Sequence, residues 1–263
     1  MTSSREPSRS GNGSGLKRIA RGTARHFGFR ITRLRHPMRF DAMEDTFLFM
    51  RGAGYRPRVV LDAGANMGLW AAMIHSVFPA AHVHMIEPQP GCAGALEELT
   101  ANVPRFAFHR LALTRPGVSE VRMIGSGRDR RGTGAYVAES AESGPDEIRC
   151  PATTLDALFA GDITRDDRAL LKLDLEGHEL EALRGASHLL DVVEVIVTEL
   201  QFFEINGNGR PVFADVIAFL REKHFEIYDF ACLSPRPRDL RLRMGDVVFV
   251  RADSPLLADR QWE

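Results

Sequence analysis

The sequence predicts a doubly wound, mostly parallel α/β sheet, and three observations carry that prediction. From residue 58 onward, short apolar runs alternate with helical patterns. The first run, "VVLDAGANMGLW", breaks into two glycines four residues apart and resumes with helical spacing. The second run ends in an acid, Glu87, twenty-three residues after Gly64.

Residues 1–15, "MTSSREPSRSGNGSG", hold no aliphatic residue after Met1, cannot add to a core, and are expected to form a disordered tail. Leu16, Ala20, Ala24, Phe27, Ile31 and Leu34 then recur at helical steps with Arg18, Arg21, Arg25 and Arg33 between them. This is the pattern of a basic amphipathic helix, weakened by Gly22 and Gly28. It fits a helix packed on the following domain, a surface helix on anionic lipid or a lipid-linked acceptor, or a targeting peptide. Strands are expected at 59–63, 82–86, 106–111, 170–175, 193–200, 225–230 and 247–250. Helices are expected at 67–78, 92–101, 155–159, 179–190 and 212–224. Residues 114–152 break the rhythm and read as a hairpin with a mobile loop over one sheet edge, 125–134 being a candidate lid. The expected organisation is a tail at 1–15, a basic segment at 16–54 and an α/β domain at 55–263.

The formal charge of −1 conceals an asymmetry. Residues 1–39 hold ten Lys and Arg against one acid, +9, which leaves −10 on the other 224 residues. An acidic folded portion is repelled by phosphates, so nucleic acid is not the expected partner. Arginine outnumbers lysine 31 to 3, a bias better explained by genome composition than by phosphate binding. Three cysteines without a CxxC pair suggest neither a zinc knuckle nor a disulfide framework. No run reaches the roughly 18 to 20 apolar residues of a spanning helix. A cytoplasmic protein is expected, at the inner membrane surface if the basic segment lies on lipid.

In an open α/β sheet the ligand sits outside the carboxyl ends of the strands, where the first strand-to-helix turn meets it. "DAGANMG" occupies that turn. Gly64 and Gly68 clear space for a close backbone approach, the helix starting near Asn66 points free amides at the ligand, and Glu87 can accept from two ribose hydroxyls. The GxxxG spacing is not the GxGxxG of a pyrophosphate site, and Asp62 just before the turn would repel an anion. A carboxylate there suits an amino group or a sulfonium, and S-adenosylmethionine carries both.

A second cluster lies in "LLKLDLEGHELEALRGASHLL". Asp174 and Glu176, two apart, would share one side of an extended strand end. His178 follows at the helix start, and Glu199 closes the next strand, "VIVTEL". Lys172 reads as an ion-paired or snorkelling strand residue. Asp174, Glu176 and Glu199 are hard oxygen donors within reach of a divalent metal, but no spacing motif supports one, and none is expected.

"LDAGANMGLW", "IEPQP", "TTLDAL" and "LKLDLEGHELEALRGA" resemble the successive motifs of the FkbM family of S-adenosylmethionine-dependent methyltransferases, over about residues 55–205. The resemblance implies a class I methyltransferase (Rossmann-like) sheet of seven strands with its last strand, 247–250, antiparallel; the basic N-terminal helical extension, within residues 1–40, lies outside it. It implies that Asp62, Gly64, Asn66 and Gly68 lie along the methionine and ribose parts of the cofactor, that Glu87 holds the ribose diol, and that Asp174 to His178 adjoin the reacting methyl. Asn66 stands where many class I enzymes carry a glycine. No acidic adenine partner follows the third strand.

Methyl transfer to an alcohol needs in-line alignment and removal of one proton. Asp174 or His178 is the expected base, the histidine having the better-matched reference pKa, with Glu176 and Glu199 orienting the acceptor or the imidazole. The expected acceptor is a hydroxyl on a sugar of a glycolipid or polysaccharide, or on a natural product. The rivals are N- or carboxyl-methylation of a small molecule or protein, and a nucleotide-binding module without turnover.

Overall fold

The computed structural model describes residues 39–125, 134–138, 144, 147–159, 161–204, 210–259 and 261. The expected tail, the amphipathic stripe of the basic segment and most of the candidate lid lie outside them. All seven expected strands are present in one sheet, with ends shifted by up to five residues, most in the last two, which are longer than expected.

The chain enters through helix α1 (Arg39–Gly52), then β1 (Val59–Ala63), α2 (Leu69–Val77), β2 (His82–Ile86), α3 (Pro90–Asn102) and β3 (Phe106–His109). After an excursion it returns through β8 (Leu170–Leu173), α5 (Glu179–Arg184), β9 (Val195–Gln201), α6 (Phe213–Glu222), β10 (Phe225–Pro235) and β11 (Leu242–Arg251). The sheet order is β10-β11-β9-β8-β1-β2-β3, with β11 antiparallel to both its neighbours and the rest parallel. Strand order therefore reverses at the β1–β8 junction, where such folds open a crevice at the carboxyl ends.

Both faces of the sheet are covered, and side chains alternate between two cores with the strand period of two. On β1, Leu61 and Ala63 join one core and Val60 the other; on β8, Leu171 and Leu173 oppose Leu170. Asp62 and Lys172 follow Val60 and Leu170 onto the second face, and the register pairs them directly across the two strands. Neighbouring strands lie about 4.8 Å apart, so an acid and a base in register meet as an ion pair.

Helix α1 was not expected. It lies inside residues assigned to the basic segment, but Met43, Phe47 and Met50, at steps of four and three, are buried. Phe47 packs edge-on against Trp70 and Phe78, and Thr46 donates to Asp229 on β10 at 2.9 Å. The packed unit accordingly runs from Arg39 to Glu263. The excursion at 114–152 is more than a hairpin: β4 (Ala112–Leu113), β5 (Glu120–Ile124), β6 (Tyr136–Val137) and β7 (Ile148–Thr153) form a second sheet, ordered β4-β7-β5-β6. Helix α4 (Leu155–Phe159) has the expected bounds. Among the described residues no helix is long and apolar enough to cross a membrane.

Where β2 and β3 run together, His84 stacks on His109, ring nitrogens 3.1 Å apart, under the edge of Phe159. Burial, and then the neighbouring His109 and His82, push the His84 imidazole from 6.5 down to about 4. Above pH 6.5 it is neutral in both folded and unfolded chains. Between 6.5 and 4 the unfolded chain takes up its proton first, so stability falls with pH by on the order of 1–3 kcal/mol. Thermal unfolding from pH 7.5 to 4.5 should show a fall in Tm that is smaller in His84→Gln; an unchanged slope in the variant would clear His84.

Candidate active site

A cavity of about 580 Å³ opens at the carboxyl ends of β1 and β8, within the range of small-molecule sites. Its floor is the β1–α2 bend. Three residues of that bend have positive φ: Gly64 at 79°, Asn66 at 48° and Gly68 at 76°. A side chain at Gly64 would put its Cβ 2.0 Å from the backbone oxygen of Asp174, so the glycine lets β1 and the end of β8 close on each other. Asn66 tolerates the left-handed region as few other side chains do, and its Oδ1 accepts from the Met67 amide at 2.8 Å.

Glu87, 3 % exposed, lines the cavity with its carboxylate held from behind. Oε2 accepts from the Asn66 amide at 2.9 Å and Oε1 from the Gln89 amide at 3.0 Å. Burial raises its pKa while these amides oppose the rise. Each oxygen keeps a lone pair for a further donor. Ile86, Leu111, Leu113 and Met123 form the apolar wall beside it.

Two of the expected cofactor residues lie elsewhere. Asp62 is 0 % exposed and does not line the cavity; its carboxylate faces Lys172, with Nζ 2.9 Å from Oδ1. Burial pushes the Asp62 pKa up and Lys172 pulls it down. The lysine also donates to the Gly64 carbonyl at 2.7 Å, so the acid acts on the bend through its ion pair. Gly68 also lies off the cavity wall, and the space it leaves is filled by Leu96 and Leu99 of α3. Helix α2 starts at Leu69 rather than near Asn66, because the bend uses those residues in left-handed conformations.

Asp174, Glu176 and His178 all line the cavity, as expected together. They are not carried there by one extended segment. Strand β8 ends at Leu173, and Glu176 (φ 54°) and Gly177 (φ 95°) turn the chain into α5. Buried Glu179 holds the turn, its Oε1 accepting from the Leu175 amide at 2.8 Å and the Gly177 amide at 3.2 Å. Burial pushes that carboxyl up to about 7. Arg210 straps the outside, donating to the Glu176 carbonyl at 2.7 Å and the Val137 carbonyl at 3.1 Å. His178 Nε2 lies 3.3 Å from the Thr114 hydroxyl. Burial pushes the imidazole down to about 4, so it is neutral at pH 7 and a weaker base than its reference value suggests.

Glu199 stays behind this wall. Its Oε2 is 2.7 Å from Arg39 Nη1, and burial together with the charge of Asp174 pushes its carboxyl up to about 9. Arg39 also lies 3.2 Å from Asp174 and forks onto Asp246, with Nε 2.6 Å from Oδ2. Sequence reading passed over Arg39, Asp246 and Arg210. Asp246 had a signal, an acid opening the apolar run "DVVFV", the kind that singled out Asp174. Arg39 had none, being one of ten basic residues in its segment.

The Methyltransferase FkbM domain family matches residues 62–227. Similar folds include the methyltransferase FkbM of Methylobacillus flagellatus KT, at 13% identity over 89% of this chain and 71% of that one, TM-score 0.48. They also include a precorrin-6y C5,15-methyltransferase of Geobacter metallireducens GS-15, at 11% identity over 84% of this chain and 92% of that one, TM-score 0.42. A third is the Burkholderia thailandensis 1,6-didemethyltoxoflavin-N1-methyltransferase with bound S-adenosylhomocysteine, at 15% identity over 94% of each chain, TM-score 0.42. No curated protein matches the sequence.

Proposed function

The chain belongs to the FkbM methyltransferase family, and on that premise we propose that it transfers the methyl group of S-adenosylmethionine to a hydroxyl of a sugar or natural product. The observation that carries the acceptor chemistry is that Asp174 and Glu176 line the cavity together, with an oxygen of one within 4.8 Å of an oxygen of the other. Carboxylates accept hydrogen bonds from hydroxyls and repel an anionic acceptor.

The residues fit the cofactor. Glu87 would take the ribose diol, the backbone at Gly64 would pass along the methionine part, and Ile86, Leu111 and Leu113 would flank the adenine. When bound, the cofactor supplies a sulfonium methyl whose transfer to oxygen leaves a neutral thioether and frees one proton from the acceptor. That proton needs a base in reach of the cavity. Asp174 is our choice over His178 because it adjoins Gly64 directly and so stands at the boundary of the cofactor side and the acceptor side. His178 lies further along the turn and is engaged with Thr114. Glu176, also on the cavity wall, would orient the acceptor, and Glu199, paired with Arg39, would hold the base in place.

The basic charge of residues 16–39 would favour contact with a lipid-linked or anionic carrier, and the acidic remainder disfavours nucleic acid.

Methyl-tritiated S-adenosylmethionine, incubated with the chain and extracts of producing cells, tests the reading. Alkali-stable label on a hydroxyl-bearing product supports it. Label released by alkali as methanol points to carboxyl methylation, and binding without transfer points to a module without turnover. Glu87→Ala removes a charged acceptor and leaves two amides unpaired, a loss of about 1.5–3 kcal/mol, so cofactor Kd should rise roughly 10- to 100-fold by calorimetry.

A further inference from the structure

Five carboxyl groups crowd the carboxyl ends of β1, β8 and β9 and the middle of antiparallel β11 beside them: Asp62, Asp174, Glu176, Glu199 and Asp246. Lys172 is committed to Asp62 and lies 3.8 Å from Asp174. Arg39 contacts three of the other four, with one fork on Asp246, Nη1 on Glu199 and Nη2 on Asp174.

Asp174, Glu176 and Glu199 each offer an oxygen within 4.8 Å of the others. One hard divalent cation, about 2.0–2.6 Å from each ligand, spans such a set. Here a guanidinium touches two of the three. It keeps its charge at any working pH, and its planar fork fixes the direction of each carboxylate as a lysine cannot. It also stands on a packed helix, since Met43, Phe47 and Met50 bury the next turns of α1.

We infer that Arg39 is the resident counter-cation of this cluster, a positioning residue that takes the place of a divalent ion and aims Asp174 into the cavity. Its effect on turnover rests on the reading of Asp174 as proton acceptor; its exclusion of a metal does not.

The test titrates wild type, Arg39→Gln and Arg39→Lys with Mn²⁺ at neutral pH, following free ion by paramagnetic resonance and cofactor binding by calorimetry on the same samples. Wild type and Arg39→Lys should take up no ion at about 1 mM, whereas Arg39→Gln should take up one per chain and lose it again when Glu199→Gln is added. Arg39→Gln should lower kcat about 10- to 100-fold with cofactor Kd within about threefold, and Mn²⁺ should restore part of the rate. Chelator should leave wild-type turnover unchanged.

Stoichiometric Mn²⁺ uptake by wild type, or none by an Arg39→Gln chain that still binds cofactor, overturns the inference. If Arg39→Gln does not bind cofactor, Arg39→Lys decides, and a kcat within twofold of wild type overturns it. Metal exchange as expected, with no hydroxyl methylated, would leave the inference standing and sink the acceptor chemistry proposed above.

Discussion

Asp174→Asn is expected to lower kcat for methyl transfer by about 10²- to 10⁴-fold while cofactor Kd changes less than about threefold, because a positioned base contributes that much to a proton-coupled displacement. Asparagine keeps the shape of the side chain and still accepts a hydrogen bond from a hydroxyl, but it cannot take the proton. His178→Gln is expected to cost about tenfold, since burial leaves the imidazole a weak base and Thr114 already engages it. Single-turnover rates at saturating cofactor separate the two. A small effect at Asp174 with a large one at His178 would move the base to the histidine.

Lys172→Met is expected to produce the largest loss of stability, about 3–5 kcal/mol, because it strands the Asp62 carboxylate at 0 % exposure. For a folded unit of this size that is a Tm decrease of roughly 10–15 °C. Burial already favours the protonated form of Asp62, and without Lys172 that preference grows. The folded chain then holds a proton that the unfolded chain releases above the ordinary aspartate range. The variant's deficit should therefore be greatest at neutral pH and shrink on acidification. Asp62→Leu combined with Lys172→Met should recover most of the loss, since a buried ion pair replaced by apolar residues of similar size is nearly neutral. A double variant as unstable as Lys172→Met alone would show that the lysine acts through the Gly64 carbonyl instead.

These two variants probe one junction at neighbouring positions. Lys172 ties β8 to β1 through Asp62 and the Gly64 carbonyl, and it lines the cavity together with Asp174, which lies just past the end of β8.

The order of elements was legible from period alone. Buried parallel strands need continuous apolar runs, and "VVLDA", "LLKL" and "VIVTEL" could satisfy no other environment so compactly. The glycines of the bend and the acid ending β2 were legible because close backbone approach and charge at a strand end each restrict residue type sharply. So the sequence by itself determined a doubly wound sheet, the rim on which the cavity opens, and Gly64, Asn66, Glu87, Asp174, Glu176 and His178 as residues that meet around it.

Tertiary structure decided which acids line the cavity and which are paired behind it. Asp62 looked like a ligand contact because an acid beside an empty bend has no local partner; its partner is 110 residues away, brought alongside by strand register. Gly68 looked like a second cradle and makes room for Leu99. Arg39 was hidden for the same reason in reverse, one basic residue among ten until α1 carried it to three carboxyl groups, just past β8 and on β9 and β11. Local periodicity records what each segment must bury. Long-range pairing of charges leaves no mark on either partner's neighbours, and only the folded chain shows which carboxylates are paired and which line the cavity.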